Sequence, residues 1–259
     1  MSAAAPSPLL VWLDEAGTLL RLRLARPKAN IVDAAMIAAL DAALAEYLDR
    51  RDLLAVLIDA EGPNFSFGAS VEEHLPANCA AMLKNLHAVL LRLVASPVPV
   101  LVAVRGQCLG GGLELALSGT LLFIAPDAKL GQPEIKLGLL APAASCLLPE
   151  RIGQAAADEL LLSGRSLDAA EAAALDLVTA VAADPEGEAL AWFKQHLAGK
   201  SAAALRHALR AARFDLVERV RHKLARVEAL YLEDLMATRD AVEGLNAFLA
   251  KRPPRWEHR

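Results

Sequence analysis

Apolar and basic residues alternate through Thr18-Leu-Leu-Arg-Leu-Arg-Leu24, the period of two expected of a strand with one face open. Asp33 stands where a helix cap belongs. Behind it Met36, Ile37, Leu40, Leu44 and Leu48 form one apolar stripe, which predicts a helix to about Arg51. Leu53–Ile58 is a continuous apolar run before Gly62-Pro63 and reads as a buried strand. A second helix is predicted over about 77–94, with further buried strands at 98–104 and 121–125. From Gln154 the pattern is almost wholly helical, over about 154–162, 168–174, 187–198, 201–213, 216–239 and 240–250, and Pro253-Pro254 ends it. The first eight residues read as loose. Strands alternating with helices predict a parallel, crossover-connected α/β core of roughly 150 residues, followed by a helical region.

Composition narrows the classes. Of the 259 residues 55% are apolar but only 4% aromatic, so Ala, Leu and Val build the core. No apolar run reaches the roughly 18 residues that would span a bilayer, and the opening MSAAAPSP lacks the basic and apolar regions of an export signal. A cytoplasmic protein without membrane attachment is the expectation. Cys79, Cys108 and Cys146 form no C-x-x-C pair and read as reduced apolar residues. The six histidines show no metal-binding spacing. The net charge of −4 argues against nucleic-acid binding. Residues 200–259 nevertheless carry a net +5, a solvated helix face or a surface for an anionic ligand or an acidic neighbour.

Candidate chemistry concentrates in three segments. In Val104-Arg-Gly-Gln-Cys-Leu-Gly-Gly-Gly-Leu-Glu-Leu-Ala-Leu117 a buried strand runs into three glycines and then a helix. Such a turn can bring unpaired N–H groups against a negative oxygen, or it can simply be tight. Asn64-Phe-Ser-Phe-Gly-Ala-Ser70 is a turn in which Gly68 frees the amide of Ala69. Lys129-Leu-Gly-Gln-Pro-Glu-Ile135 sets Glu134 at a helix start after a proline. Taken singly, Glu114 and Glu134 are equally well explained as partners of a helix dipole.

Taken together, in order and spacing, the three segments resemble the crotonase (enoyl-CoA hydratase/isomerase) family. Its F-x-x-G-A, G-x-x-x-G-G-G-x-E-L-A and G-x-P-E-x-x-x-G motifs read here Phe65–Ala69, Gly106–Ala116 and Gly131–Gly138. The likeness extends to Arg26-Pro-Lys-Ala-Asn30, Ser163-Gly-Arg165, Ala170-Glu171 and Leu177-Val178, nearly the whole chain. It implies a ClpP-like α/β fold, with a repeated ββα spiral core over residues 1–195 and a helical trimerisation region over 196–259. By the same resemblance the backbone N–H groups of Ala69 and Gly111 form an oxyanion hole for a thioester carbonyl. Glu114 and Glu134 take the places of the two carboxylates that flank a water. Arg26, Lys28, Ala29, Ser66 and Gly68 line the substrate and CoA groove, and Phe248, Lys251 and Arg252 meet the CoA nucleotide. The implied protein is a homotrimer or homohexamer acting on an acyl-CoA thioester. CoA belongs to the substrate, and neither a separate cofactor nor a metal is implied.

Departures from the family pattern sharpen the expectation. After Gly138 the usual glycine-rich stretch is replaced by the glycine-free Leu139-Leu-Ala-Pro-Ala-Ala-Ser-Cys146. Ser70 replaces an acidic residue, and Asp176 replaces a glycine. With Lys28–Asp33, Phe65–Leu75 and Leu140–Ser145 these changes resemble one subgroup, the hydratases of cyclohexa-1,5-diene-1-carbonyl-CoA in anaerobic benzoyl-CoA degradation. The implied activity is that of a hydro-lyase yielding 6-hydroxycyclohex-1-ene-1-carbonyl-CoA. The alternatives are a generic short-chain enoyl-CoA hydratase or isomerase and a non-catalytic RNA-binding scaffold. The latter is disfavoured because no basic, aromatic-interleaved stripe is present. Ser66, Ser70 and His74 form no recognisable serine-hydrolase motif.

Overall fold

The computed structural model describes residues 7–259. Two sheets run side by side. The larger holds β1 (Leu9–Asp14), β2 (Leu19–Leu24), β3 (Ala55–Ala60), β4 (Val100–Val104), β6 (Leu121–Ile124) and β9 (Ala180–Val181) in the order β1-β2-β3-β4-β6-β9. β1 is antiparallel to β2, and every other pair is parallel. The smaller sheet has the order β5-β7-β8, from Gln107–Leu109, Lys129–Gly131 and Ser166–Leu167.

Helices follow the strands in turn: α1 (Ala34–Tyr47), α2 (Cys79–Val94), α3 (Gly111–Leu117), α4 (Pro142–Ile152), α5 (Gln154–Ser163), α6 (Ala169–Ala174) and α7 (Pro185–His196). Each turn of the spiral takes one strand to the large sheet, one extended piece to the small sheet and then a helix. β4, β5 and α3 make one such turn. β3, the Ser66 bridge to Cys108 and α2 make another. This is the repeated ββα spiral implied by the sequence resemblance.

The central strands are buried on both faces, which their unbroken Leu/Val/Ile runs require. One face packs on α1, α2, α3 and α4 in the main core. The other, through Leu57, Leu101 and Phe123, packs on Ala189 and Phe193 of α7. Asp33 caps α1 by accepting from the Met36 N–H at 3.0 Å, and Asp168 with Glu171 closes a capping box on α6.

The C-terminal region holds α8 (Ala202–Ala212), α9 (Phe214–Ala229) and α10 (Arg239–Leu249). α9 packs on α2 and α4, and its Val220 and Leu224 enter the main core with Tyr231 and Leu245. The single helix expected over 216–239 is broken. After α9 the chain makes a π-helical turn at Leu230–Asp234 and a 3-10 turn at Leu235–Ala237 before Thr238 caps α10. A π turn inserts one residue into the helical ladder and swings the side chains beyond it; here it seats Tyr231 in the core. Among the described residues no helix is long and apolar enough to cross a membrane.

Candidate active site

Asn30 is fully buried and organises the first wall. Its Nδ2 donates to the carbonyls of Glu61 and Asn64, each at 3.0 Å, and its Oδ1 accepts from the Arg26 N–H at 2.9 Å. Ser66 Oγ donates to the Asn30 carbonyl at 2.8 Å and accepts from the Gly68 N–H at 3.1 Å. The loop after β3 is thereby pinned on α1's approach segment. Gly68, at φ +107°, turns the chain and leaves the next amide, that of Ala69, pointing away from these bonds.

The second wall comes from β4 and β5. Gly110 precedes α3 at φ +50°, with its N–H donating to the Gly131 carbonyl at 2.9 Å. The conformation and the space both demand glycine, because a Cβ there would stand 2.7 Å from Glu134 Oε1. Gly111 opens α3, so its N–H has no acceptor within the helix. The two walls touch: a Cβ on Gly111 would lie 3.1 Å from the Ala69 nitrogen. Among the described residues neither the Ala69 nor the Gly111 N–H makes a hydrogen bond. Two unspent donors thus sit side by side, which is what a developing oxyanion needs.

Both amides open into a cavity of about 690 Å³ that also receives Glu114 and Glu134. Leu83 and Leu86 of α2, Leu139 and Leu140, and Leu245 of α10 give it apolar walls. Glu114, on α3, is buried and accepts from the Ala144 N–H at 2.9 Å. Burial pushes its carboxyl above the ordinary range, against the pull of the His87 charge and the Ala144 and Ala143 N–H groups. Glu134 follows Pro133 in the 3-10 turn Pro133–Leu137. Burial, and then the charge of Glu114, push Glu134 up to about 8. With its amide nitrogen turned inward, Gln132 donates to both Glu134 oxygens at 3.1 and 3.0 Å. Two carboxyls in one dry cavity resist double ionisation and so share a proton near neutrality. One group able to give a proton and one able to take it therefore stand beside two oxyanion donors.

The sequence profile of the enoyl-CoA hydratase/isomerase family matches residues 14–259. The chain belongs to the enoyl-CoA hydratase/isomerase family. It is 65% identical over 255 residues to the cyclohexa-1,5-dienecarbonyl-CoA hydratase of Thauera aromatica, covering 98% of this chain and 99% of that one. It is 32% identical over 244 residues to a probable enoyl-CoA hydratase of Bacillus subtilis (strain 168), covering 91% and 94%. A crystal structure of carnitinyl-CoA hydratase from Mycobacterium avium superposes with a TM-score of 0.86 at 27% identity, covering 98% of this chain and all (100%) of that one. The fold is the crotonase fold that these enoyl-CoA hydratases share.

Of the residues singled out in the sequence, this member of the enoyl-CoA hydratase/isomerase family brings Gly68, Ala69, Gly111, Glu114, Glu134 and Phe248 to one cavity. Ser70, His74 and the start of the glycine-free stretch line it too, whereas the other residues assigned to the substrate and CoA groove lie outside its lining. Arg26 forks onto Asp33, with Nη1 to Oδ2 at 2.7 Å. Lys28 and Lys251 are exposed. The Ala29 carbonyl accepts from the Phe67 N–H at 2.9 Å, and Ser66 is spent on Asn30 and Gly68. The glycine-free stretch after Gly138 is no loop along its whole length: from Pro142 it is α4, and its amide at Ala144 is the one that holds Glu114.

Sequence reasoning missed Gln132 and the role of Ala144. Gln132 stands inside a quoted motif and could have been found there. Ala144 lies in the stretch already singled out, but only the helix it forms shows that its N–H meets Glu114.

Proposed function

We propose that this hydratase adds water to cyclohexa-1,5-diene-1-carbonyl-CoA to give 6-hydroxycyclohex-1-ene-1-carbonyl-CoA, in anaerobic degradation of aromatic acids by way of benzoyl-CoA. The observation that carries the hydratase reading is Glu114 and Glu134 in one apolar cavity with the two unspent amides of Ala69 and Gly111. The name and similarity of the Thauera aromatica relative support the substrate, as do the leucines that wall the cavity beside the glycine-free stretch.

In this reading the thioester oxygen accepts from the Ala69 and Gly111 N–H groups, a contribution of about 3 kcal/mol per donor as the enolate forms. The ionised glutamate takes a proton from water, and the water oxygen bonds to a β carbon of the ring. The electron pair moves onto the thioester oxygen as a dienolate. The dienolate collapses as the vinylogous ring carbon takes a proton from the second glutamate, leaving one ring double bond conjugated to the thioester. Water's atoms are then all in the product. The chemistry is redox-neutral and requires no cofactor beyond the substrate's own CoA.

Arg26, Lys28, Ala29, Ser66, Phe248 and Lys251 belong to the same proposal as the walls and anchors of the CoA portion. So do a homotrimer or homohexamer built through residues 196–259 and a cytoplasmic location. Exposed Phe214 and Leu230 at the ends of α9 support the oligomer. A panel of CoA thioesters tests the substrate: the cyclic diene should turn over with a larger kcat/KM than crotonyl-CoA. Faster turnover of crotonyl-CoA would leave a general enoyl-CoA hydratase instead.

A further inference from the structure

His74 lines the same cavity as Glu114 and Glu134, yet the chemistry above leaves it unused. It ends the 3-10 turn Glu72–His74, which follows the Ala69 loop and packs between α2 and α10. Those two helices give the cavity its Leu83, Leu86 and Leu245 walls. The ring's Nδ1 lies 2.7 Å from the Ser70 carbonyl oxygen. A carbonyl only accepts, so Nδ1 carries the proton and donates. Burial holds the imidazole below its ordinary range, against the pull of that carbonyl, so the ring is neutral at pH 7. In a neutral ring protonated at Nδ1, Nε2 is a bare acceptor. Among the described residues nothing bonds Nε2, and the atom is not sealed from solvent.

The hydration step has a use for such an acceptor. Of the two hydrogens on the attacking water, one passes to the ionised glutamate. The other stays on the oxygen and becomes the hydroxyl hydrogen of the product. Between apolar walls that O–H is costly to leave unpaired, and both glutamates are engaged with the protons in transfer. The other polar side chains of the lining are poorly suited to it. Ser70 donates its hydroxyl to Glu72 at 3.1 Å, Glu72 itself is exposed, and Lys136 can only donate. Glu73, the remaining carboxylate of the turn, is held by the Ala34 N–H at 3.1 Å.

We propose that His74 is a further catalytic residue: tied to Ser70 through its Nδ1–H, it accepts at Nε2 the hydrogen that stays on the attacking oxygen, first in the water and then in the product hydroxyl. The inference rests on the hydratase reading, since only there does a water enter the cavity to be held. No proton passes to the imidazole, so the balance of the reaction is unchanged. The Ser70 carbonyl stands one residue beyond Ala69, so this acceptor and one oxyanion donor are carried by the same loop.

Two variants separate the ring's two bonds. His74→Asn keeps a donor near Nδ1 for Ser70 and removes the acceptor, whereas His74→Gln sets a carbonyl oxygen near Nε2. Hydration of the cyclic diene and dehydration of the hydroxylated ring are both measured. In His74→Asn the KM of the hydroxylated ring should rise by about three- to ten-fold, the worth of one hydrogen bond. The KM of the diene, which has no hydroxyl, should stay within about two-fold, and kcat for hydration should fall by the factor that the KM of the hydroxylated ring gains. His74→Gln should return all of these to within about two-fold of wild type. An unchanged KM for the hydroxylated ring in His74→Asn overturns the proposal. So does an equal rise for the diene, which would mark a structural role alone. ¹⁵N NMR of histidine-labelled wild type, with His74 assigned through His74→Gln, decides the matter even if His74→Asn does not fold. Nε2 should resonate as an unprotonated nitrogen and move when the hydroxylated ring binds, but not with cyclohex-1-ene-1-carbonyl-CoA, the same ring without the hydroxyl. A protonated Nε2, or an equal response to both rings, overturns the proposal. If wild type hydrates neither the cyclic dienoyl nor the crotonyl thioester, the hydratase reading fails, whereas an indifferent Nε2 in an active enzyme counts against His74 alone.

Discussion

Gly110 meets two demands at one position. Its φ of +50° costs any L residue about 1–2 kcal/mol, and a Cβ would press within 2.7 Å of Glu134 Oε1. Gly153 has the same kind of backbone, at φ +78°, but open space around it. Gly110→Ala should therefore lose activity by about 100-fold, because a misplaced catalytic group costs that much. Gly153→Ala should lose only stability, and thioester kinetics beside thermal melts of the pair separate the two effects. Glu114→Gln and Glu134→Gln should each lower kcat by roughly 10²- to 10⁴-fold with KM little changed, since each removes a proton donor or acceptor and leaves shape intact. Full activity of both variants on every acyl-CoA would remove the mechanism. Neither glutamate was persuasive alone in the sequence; the ordered spacing of both behind Gly68 and Gly110 made them legible.

Elements were legible where one face alone is wet, or where the run is wholly apolar. β2, β3, β4 and β6 fall within two residues of their expected positions: alternation marks β2, and burial on both faces makes β3, β4 and β6 almost wholly apolar. β1 was missed, although Pro8 and Gly17 flank it, because Leu-Leu-Val-Trp-Leu-Asp shows no alternation; its pairing with β2 makes it a strand. β5, β7 and β8, at two or three residues, are too short to show any period and exist because the spiral brings them together. α4 begins at one proline and contains another, Pro149, which argued against a helix there. Packing on α9 outweighs that preference. Also invisible in the sequence was the tie between α7 and the sheet. Arg21 of β2, 3% exposed, bonds Asp59 of β3 at 2.8 Å and also meets Glu186 of α7. Arg23 reaches the same Asp59 at 2.5 Å. Asp59→Ala leaves a buried guanidinium short of its carboxylate and should cost about 3–5 kcal/mol. Urea denaturation measures it, and a loss below about 1 kcal/mol would mean that Glu186 and water suffice.

For the whole molecule, the cavity that holds Glu114 and Glu134 is a place where stability is surrendered, and pH exposes the loss. Glu134 ionises near 8 in the folded chain against an ordinary value of 4.5, burial being the larger cause and the Glu114 charge the second. A carboxyl raised on folding favours the folded state while protonated. That advantage is whole below about pH 4.5 and is lost as pH rises through 8, where the folded state must carry a buried anion. Carboxylates depressed on folding act the other way. Glu243 beside Arg252, held to about 2 by their ion pair and the Arg255 N–H, and Asp33 and Glu228 lose their contribution only as pH falls below the ordinary carboxylate range. Comparing wild type with Glu134→Gln cancels that second set, which both proteins share. The variant should melt with wild type near pH 4.5, rise above it progressively through pH 5–8, and level off beyond at an advantage on the order of a few kcal/mol. Relief of the repulsion on Glu114 adds in the same direction. Melts at one fixed protein concentration, so that any assembly equilibrium is held constant, would show this as a widening gap in Tm. A gap that stays flat from pH 5 to 9 would mean that Glu134 is solvated well enough to ionise like any surface carboxylate, and that the two glutamates do not share a proton near neutrality.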